Sequence, residues 1–312
     1  MLSQQITKNQ HIIPQRHLKQ FAITGEKKLE CLNVDLMRIE KQQSPKSICS
    51  GYFHYAMSPG EEDEYSQVVE KSFKNIEDWY GENIERIEKL LLSKQKLSDN
   101  DKYGLSWIIA NFYFRGYSFR KETTRALEKI TKSMTPTISE NIFNGCKKEY
   151  PSIFSGNKKE KEVAQKVVEQ EMKTYTSNTA YATNRAFDEG FANTLTHKKW
   201  RVLINNSKDY PFITGDEAVI TLSNEKIPKS FISNSFLCLT HIFHLSPRIA
   251  IIATYPFNEE MHGQVIFEDV VNNPKKILEQ NFHYANYTNK YCYAPNKIFF
   301  ETLVLAKNNN IL

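Results

Sequence analysis

The chain is poor in cysteine: Cys31, Cys49, Cys146, Cys238 and Cys292 are odd in number, scattered and never spaced as CxxC. That argues against a disulfide framework and against a thiolate zinc site, and a reducing cytoplasm is the compartment that fits. Long apolar runs are also missing. The longest, such as Ile249 to Ala253, fall far short of the roughly 20 residues of a membrane span. The opening MLSQQITKNQ has no apolar h-region, so no signal peptide is expected. There is no internal repeat, no low-complexity linker, and no Walker A, GxGxxG, GxSxG or HExxH signature. A strong charge of one sign is absent too, with a formal net charge of only +5. This balance permits a nucleic-acid or nucleotide partner bound through Lys and Arg, and a Lys-rich surface equally serves solubility.

What is present is globular. Sixteen Tyr and nineteen Phe in 312 residues are more than a disordered chain carries, and the length supports a substantial core. Short strands are expected at His11–Ile13, Leu29–Arg38 and Ile48–Tyr55, with MSPGEED as a turn. From about 62 to 195 the period is helical. Val69, Phe73, Ile76, Tyr80, Ile84, Ile87 and Leu91 keep three- and four-residue spacing. Ser98, Asn100 and Asp101 offer a cap for KYGLSWIIANFYFRGYSFR, whose early turns are apolar nearly all round and predict a buried central helix. Helices follow at Lys121–Lys132 and Ser139–Lys148, then a long solvated one from about Lys158 to Asp188. After Leu195 the period becomes two: KKWRVLINN, PFITGDEAVITLS, FLCLTHIFHLS and RIAIIATYP read as four strands, with NNSKDYP turning between the first pair. A helix from Asn273 to Tyr291 and the element IFFETLVLA close the chain. The expected class is α+β: a helical layer or bundle over about 62–195 packed against a mostly antiparallel sheet formed by N-terminal and C-terminal strands, with residues 1–312 as one domain.

Several residues could carry chemistry. Asp216 follows Gly215 at a strand end, where a carboxylate can hold a metal, act as a base or orient a histidine; the plainer reading is a turn aspartate bonded to its own backbone. His11 and His17 in HIIPQRHLKQF flank Pro14 without HxH or HxxxH spacing, so a functional His11 with His17 on the surface is expected. Arg115 and Arg120 end an apolar helix, where each is either an ion-pair partner of Glu70 or Glu77 or a fork aimed at a phosphate or carboxylate. His241 and His244 fall on opposite strand faces.

Taken together these residues resemble a bacterial family known as domain of unknown function 4238. The resemblance rests on His11, Pro14, Leu18 and Phe21; on Glu70, Glu77, Arg115 and Arg120; on Trp200 and Phe212 to Asp216; on Leu245, Ser246 and Pro247; and on Asn286 or Asn289. It covers residues 11 to about 290. Gly215 stands where the family usually has serine, Thr214 being a partial substitute, and Glu217-Ala218 replaces a residue–proline pair. The resemblance implies a composite site of His11, Arg115 or Arg120, Asp216, and Asn286 or Asn289. Such a set suits a phosphodiesterase or nuclease, acting in phage defence or as a toxin, with Mg²⁺ or Mn²⁺ as the ions to expect if a metal takes part. It equally suits a non-catalytic binding or sensor module for a phosphorylated ligand or partner protein, or a structural buried network.

Overall fold

The structure, a computed structural model, describes residues 9–23, 27–52, 68–153, 155–223, 239–256 and 258–308, side chains at 9, 51, 52, 68–72 and 173–188 excepted. The expected MSPGEED turn, the ends of two strands at 53–55 and 236–238, Cys238 and the Glu70 side chain lie outside the described residues.

The N-terminal part is a set of short strands. β1 (Asn9–His11) pairs antiparallel with β4 (Ser50–Tyr52). Between them lie helix α1 (Gln15–Gln20), which starts directly after Pro14, and the hairpin β2 (Leu29–Asn33) and β3 (Arg38–Gln43). The single strand expected over Leu29–Arg38 is therefore a hairpin, turned where Asn33 Oδ1 accepts from the Leu36 amide and Met37 takes a positive φ of 48°. His17 is not on the surface. It is fully buried against Phe21, Tyr80, Phe112 and Phe243.

Helices α2 (Val68–Leu92), α3 (Asp99–Arg115), α4 (Tyr117–Glu149) and α5 (Lys158–His197) follow. Phe73, Ile76, Tyr80, Ile84, Ile87 and Leu91 of α2 are buried along one stripe, as their spacing demands. Ser98 caps α3, its hydroxyl accepting from the Asp101 amide at 3.1 Å, and α3 is buried on nearly every face. The two helices expected within 121–148 are one: α4 runs through Pro136, which removes a single ladder bond. The Thr135 hydroxyl bonds the Thr131 carbonyl and the Ser139 hydroxyl the Pro136 carbonyl, while Thr131, Thr135, Ser139 and Phe143 form one buried stripe. Tertiary cover outweighs the local break.

The C-terminal part contributes β5 (Lys199–Ile204), β6 (Thr214–Gly215), β7 (Val219–Leu222), β8 (Thr240–Ser246), β9 (Ile249–Thr254), β10 (Val265–Asp269), α6 (Pro274–Tyr287), β11 (Tyr291–Ala294) and α7 (Ile298–Asn308). One sheet has the order β10-β5-β9-β8-β7, antiparallel except for the β10–β5 pair; a second has the order β3-β2-β11-β6. The α+β class with mostly antiparallel pairing is thus as expected, and N-terminal strands do share a sheet with C-terminal ones. Three details differ. The first pair is no hairpin, because β5 pairs with β9 and β10. PFITGDEAVITLS is two strands, β6 and β7, in different sheets. The helix expected to reach Tyr291 ends at Tyr287, and β11 follows it.

Alternation explains the core. Trp200, Val202 and Ile204 face the cluster shared with α2 and α3, and Leu203 faces the other with Ile242, Tyr284 and Phe299. Both faces of β8 and β9 are covered, which is why their sequences read as continuous apolar runs. Trp200 is fully buried, and its indole N–H donates to the Leu195 carbonyl at 2.9 Å. Among the described residues no helix is long and apolar enough to cross a membrane.

Candidate functional site

Residues 211–218 cross from one sheet to the other, and buried polar groups hold them step by step. Asn281 donates to the Pro211 carbonyl at 2.9 Å and accepts from the Ile213 amide at 3.1 Å. His244 Nδ1 donates to the Ile213 carbonyl at 2.6 Å, which fixes its tautomer. The Thr214 hydroxyl lies 3.4 Å from His17 Nε2, and His17 Nδ1 lies 3.1 Å from the Tyr80 hydroxyl. The Tyr284 hydroxyl donates to the Ala218 carbonyl at 2.7 Å and accepts from the His244 amide at 2.9 Å. Burial drives the imidazoles of His17 and His244 down to about 3, so both are neutral.

Two carboxylates sit at the centre of this crossing, on opposite sides as successive extended residues must be. Asp216 Oδ1 accepts from the Thr288 hydroxyl at 2.6 Å and the Asn289 amide at 2.8 Å; Oδ2 accepts from the amides of Lys290 at 2.9 Å and Tyr291 at 3.1 Å. Those four donors fill the four lone-pair positions of a carboxylate. Burial pushes its pKa up, and the four donors oppose that. Gly215 makes the clamp fit: a Cβ there would lie 2.3 Å from the Thr288 hydroxyl oxygen. The space where a serine side chain would begin is held by a threonine from α6's end.

Glu217 turns the other way and caps α4, accepting from the Ser118 amide at 2.6 Å. A Cβ on Gly116 would stand 2.2 Å from Glu217 Oε2, so the carboxylate occupies room that only glycine leaves. Burial, reinforced by the charge of Asp216, raises Glu217 to about 8. Sequence reasoning treated Glu217 only as a departure from a motif; its one sequence signal is a second acid beside Asp216 that alternation sends to the opposite side.

The remaining expected residues fall elsewhere. Arg115 is buried, with Nη1 2.5 Å from Glu77 and Nη2 bonded to the His11 carbonyl, and it lies over the Phe73 ring. The ion-pair reading of Arg115 therefore holds, with Glu77 as partner. His11 is half-buried; burial lowers its imidazole, against the carbonyls of Lys46 and Pro45. Arg120 is half-buried in the first turn of α4, near Tyr117. Asn286 and Asn289 have exposed side chains, and Asn289 reaches Asp216 by its backbone alone. The fold thus joins His11 to Arg115 and Asp216 to Asn289. The late asparagine that is fully buried is Asn281, which the sequence reading overlooked.

Beside Asp216 lies a cavity of about 550 Å³. Pairing of Cys31 with Glu40 and of Tyr293 with Cys31 sets these three in one row across β3, β2 and β11, with Arg38, Asn33 and Tyr291 in the next row. The opposite face, with Leu32, Ile39 and Cys292, packs into the core. Cys31, Arg38, Glu40, Tyr291 and Tyr293 line the cavity from this sheet, and Gln43, the Ser47–Ser50 segment, Tyr117 and Asp216 complete it. Burial and the nearby carboxylates push the Cys31 thiol and the Tyr117 phenol up to about 12. The Cys49 thiol and Tyr293 phenol are raised further, so these groups enter as neutral donors. Cys49 holds a φ of 51°, a left-handed conformation costly for a side chain with a Cβ. Among the described residues no group of three or more His, Cys, Asp or Glu side chains is placed to hold a metal ion.

An α+β protein whose polar cavity opens beside a two-sheet crossing is the class these observations define. The chain belongs to the DUF4238 family: the family model described as "Protein of unknown function (DUF4238)" matches residues 9–297. No curated protein and no solved structure matches the chain.

Proposed function

We propose that the protein is a binding or sensor module that holds a small ligand in the cavity beside Asp216. The observation that carries this reading is a concave site of about 550 Å³ onto which neutral hydroxyl, thiol and amide groups converge. The competing reading, a phosphodiesterase or nuclease in phage defence or toxicity, calls for an imidazole, a guanidinium and a carboxylate open to one substrate. Here Asp216 spends its lone pairs on residues 288–291, and Arg115 is committed to Glu77 and the His11 carbonyl. For either role a reducing, cytoplasmic setting is the one that unpaired Cys31, Cys49, Cys146 and Cys292 would favour.

Thermal-shift screening of the purified chain against small metabolites and nucleotides tests the proposal, with Tyr117→Trp as a cavity-filling control. A ligand at a hundred times its Kd stabilises by about 2.7 kcal/mol, and Tyr117→Trp is expected to abolish that gain. The same preparation is incubated with bulk RNA, plasmid DNA and single-stranded DNA, with and without Mg²⁺ or Mn²⁺. Cleavage that disappears in a folded His11→Ala variant would replace the binding reading by the hydrolytic one.

A further inference from the structure

We propose that the cavity selects a ligand bearing an organic cation, an ammonium or guanidinium group attached to a small body. This rests on the binding-module reading and narrows it to a chemical class.

Among the described residues, the charges that line the cavity are Arg38, Glu40 and Asp216. Arg38 is already committed, with Nε at 3.1 Å and Nη2 at 2.6 Å from the same Glu40 oxygen. Among the described lining residues two carboxylates stand against one guanidinium, and since Arg38 and Glu40 neutralise each other the excess negative charge is that of Asp216. Tyr117, Tyr291 and Tyr293 line the cavity, and the face of an aromatic ring attracts cations and not anions. One such face already takes a cation of the chain itself: Lys290 Nζ stands 5.1 Å from the centroid of Tyr291. Arg120 stands near Tyr117.

The field agrees with this inventory. Burial and, after it, the negative charge of Asp216 make Cys31, Cys49, Tyr117 and Tyr293 harder to ionise. A phosphate entering here would meet that charge, and among the described lining residues the one guanidinium, Arg38, is already paired with Glu40. An ammonium would find the Glu40 carboxylate shared with Arg38, the rings of Tyr117 and Tyr293 and the hydroxyls of Ser47 and Ser50, with the thiols of Cys31 and Cys49 remaining uncharged. Asp216 acts on such a ligand through its field, because its own lone pairs are filled.

Three probes of one size and differing charge make the test: benzylammonium, benzyl alcohol and benzoate, titrated against the full chain by NMR, with a nucleoside monophosphate as a fourth. Benzylammonium is expected to bind about tenfold more tightly than the neutral or anionic probes, to weaken as salt is raised, and to lose binding in Tyr117→Trp. Glu40→Gln, on a partly exposed edge strand, releases Arg38. It is expected to weaken benzylammonium about threefold and to tighten benzoate. Benzoate, benzyl alcohol or the nucleotide binding as tightly as benzylammonium, and still blocked by Tyr117→Trp, overturns the cation class and leaves the cavity reading intact. Binding of no probe to the folded chain, or binding indifferent to Tyr117→Trp, overturns both.

Discussion

Replacing Asp216 by Asn changes one oxygen of the central clamp into an NH₂ group. Of the four donors that now converge on the carboxylate, only two can then be served by the remaining oxygen. The better choice keeps that oxygen at the Oδ2 position, satisfying the Lys290 and Tyr291 amides. The NH₂ group then faces the Thr288 hydroxyl and the Asn289 amide. Thr288 can accept instead of donate, and its hydroxyl has a second acceptor in the Tyr291 carbonyl at 3.0 Å. The Asn289 amide has no such alternative and is left facing another donor. One orphaned amide and two bonds that lose their charge assistance cost about 3–6 kcal/mol, and the easier burial of a neutral amide returns part of that. The net expectation is about 2–4 kcal/mol, or a fall in Tm of roughly 3–6 °C for a chain of this size. Circular-dichroism melts measure the total, and hydrogen exchange isolates the mechanism, since the Asn289 amide should change from protected to fast. A variant melting within about 2 °C of the parent, with Asn289 still protected, would refute the clamp. The catalytic reading of Asp216 expects the contrary pattern, in which cleavage disappears and stability does not.

Acidity should shape stability with a definite sign. His17 and His244, depressed to about 3 from 6.5, contribute stability that is complete above pH 6.5 and lost on acidification, about 1.4 kcal/mol per pH unit for each. Glu217, raised to about 8 from 4.5, contributes stability that is complete below pH 4.5 and lost as pH rises to 8, so urea midpoints should peak near pH 6.5. Glu217→Gln should flatten the alkaline limb, and a parent no less stable at pH 8 than at 6.5 would sink the assignment. Gly116→Ala should destabilise by about 1–3 kcal/mol through overpacking against Glu217 and become nearly neutral beside Glu217→Ala; equal costs in both backgrounds would show that the two do not touch. Trp200→Ala should cost about 3–5 kcal/mol, and a melting shift of only a degree or two would contradict its burial.

The elements legible in the sequence were those whose signal is local. The stripe from Phe73 to Leu91, the Ser98 cap and the apolar β9 each rest on spacing or capping chemistry that a few neighbours decide. What escaped depends on distant partners. β11 is four residues long and becomes a strand only because β2 and β6 lie on either side of it. Pro136 and its neighbouring threonines predict a break that burial against α5 overrides. At the site, the sequence points to Asp216, His11 and Arg115 as candidates, and the structure gives each of them polar partners. Which groups they meet was not readable, because turn 288–291 and Glu77 reach them only through tertiary packing. His17 illustrates the same point: its neighbours Tyr80, Thr214 and Phe243 come from three separate parts of the chain.

The register of Cys31 against Tyr293 carries a consequence for biosynthesis. At ribosomal rates of roughly 5–20 residues per second, roughly 13–52 s separate the emergence of these two partners. During that interval the β2–β3 hairpin exists without the strand that completes it, and the edge of β2 is an open template for pairing with another chain. The nascent chain is therefore vulnerable over Leu29–Asn33 until β11 arrives.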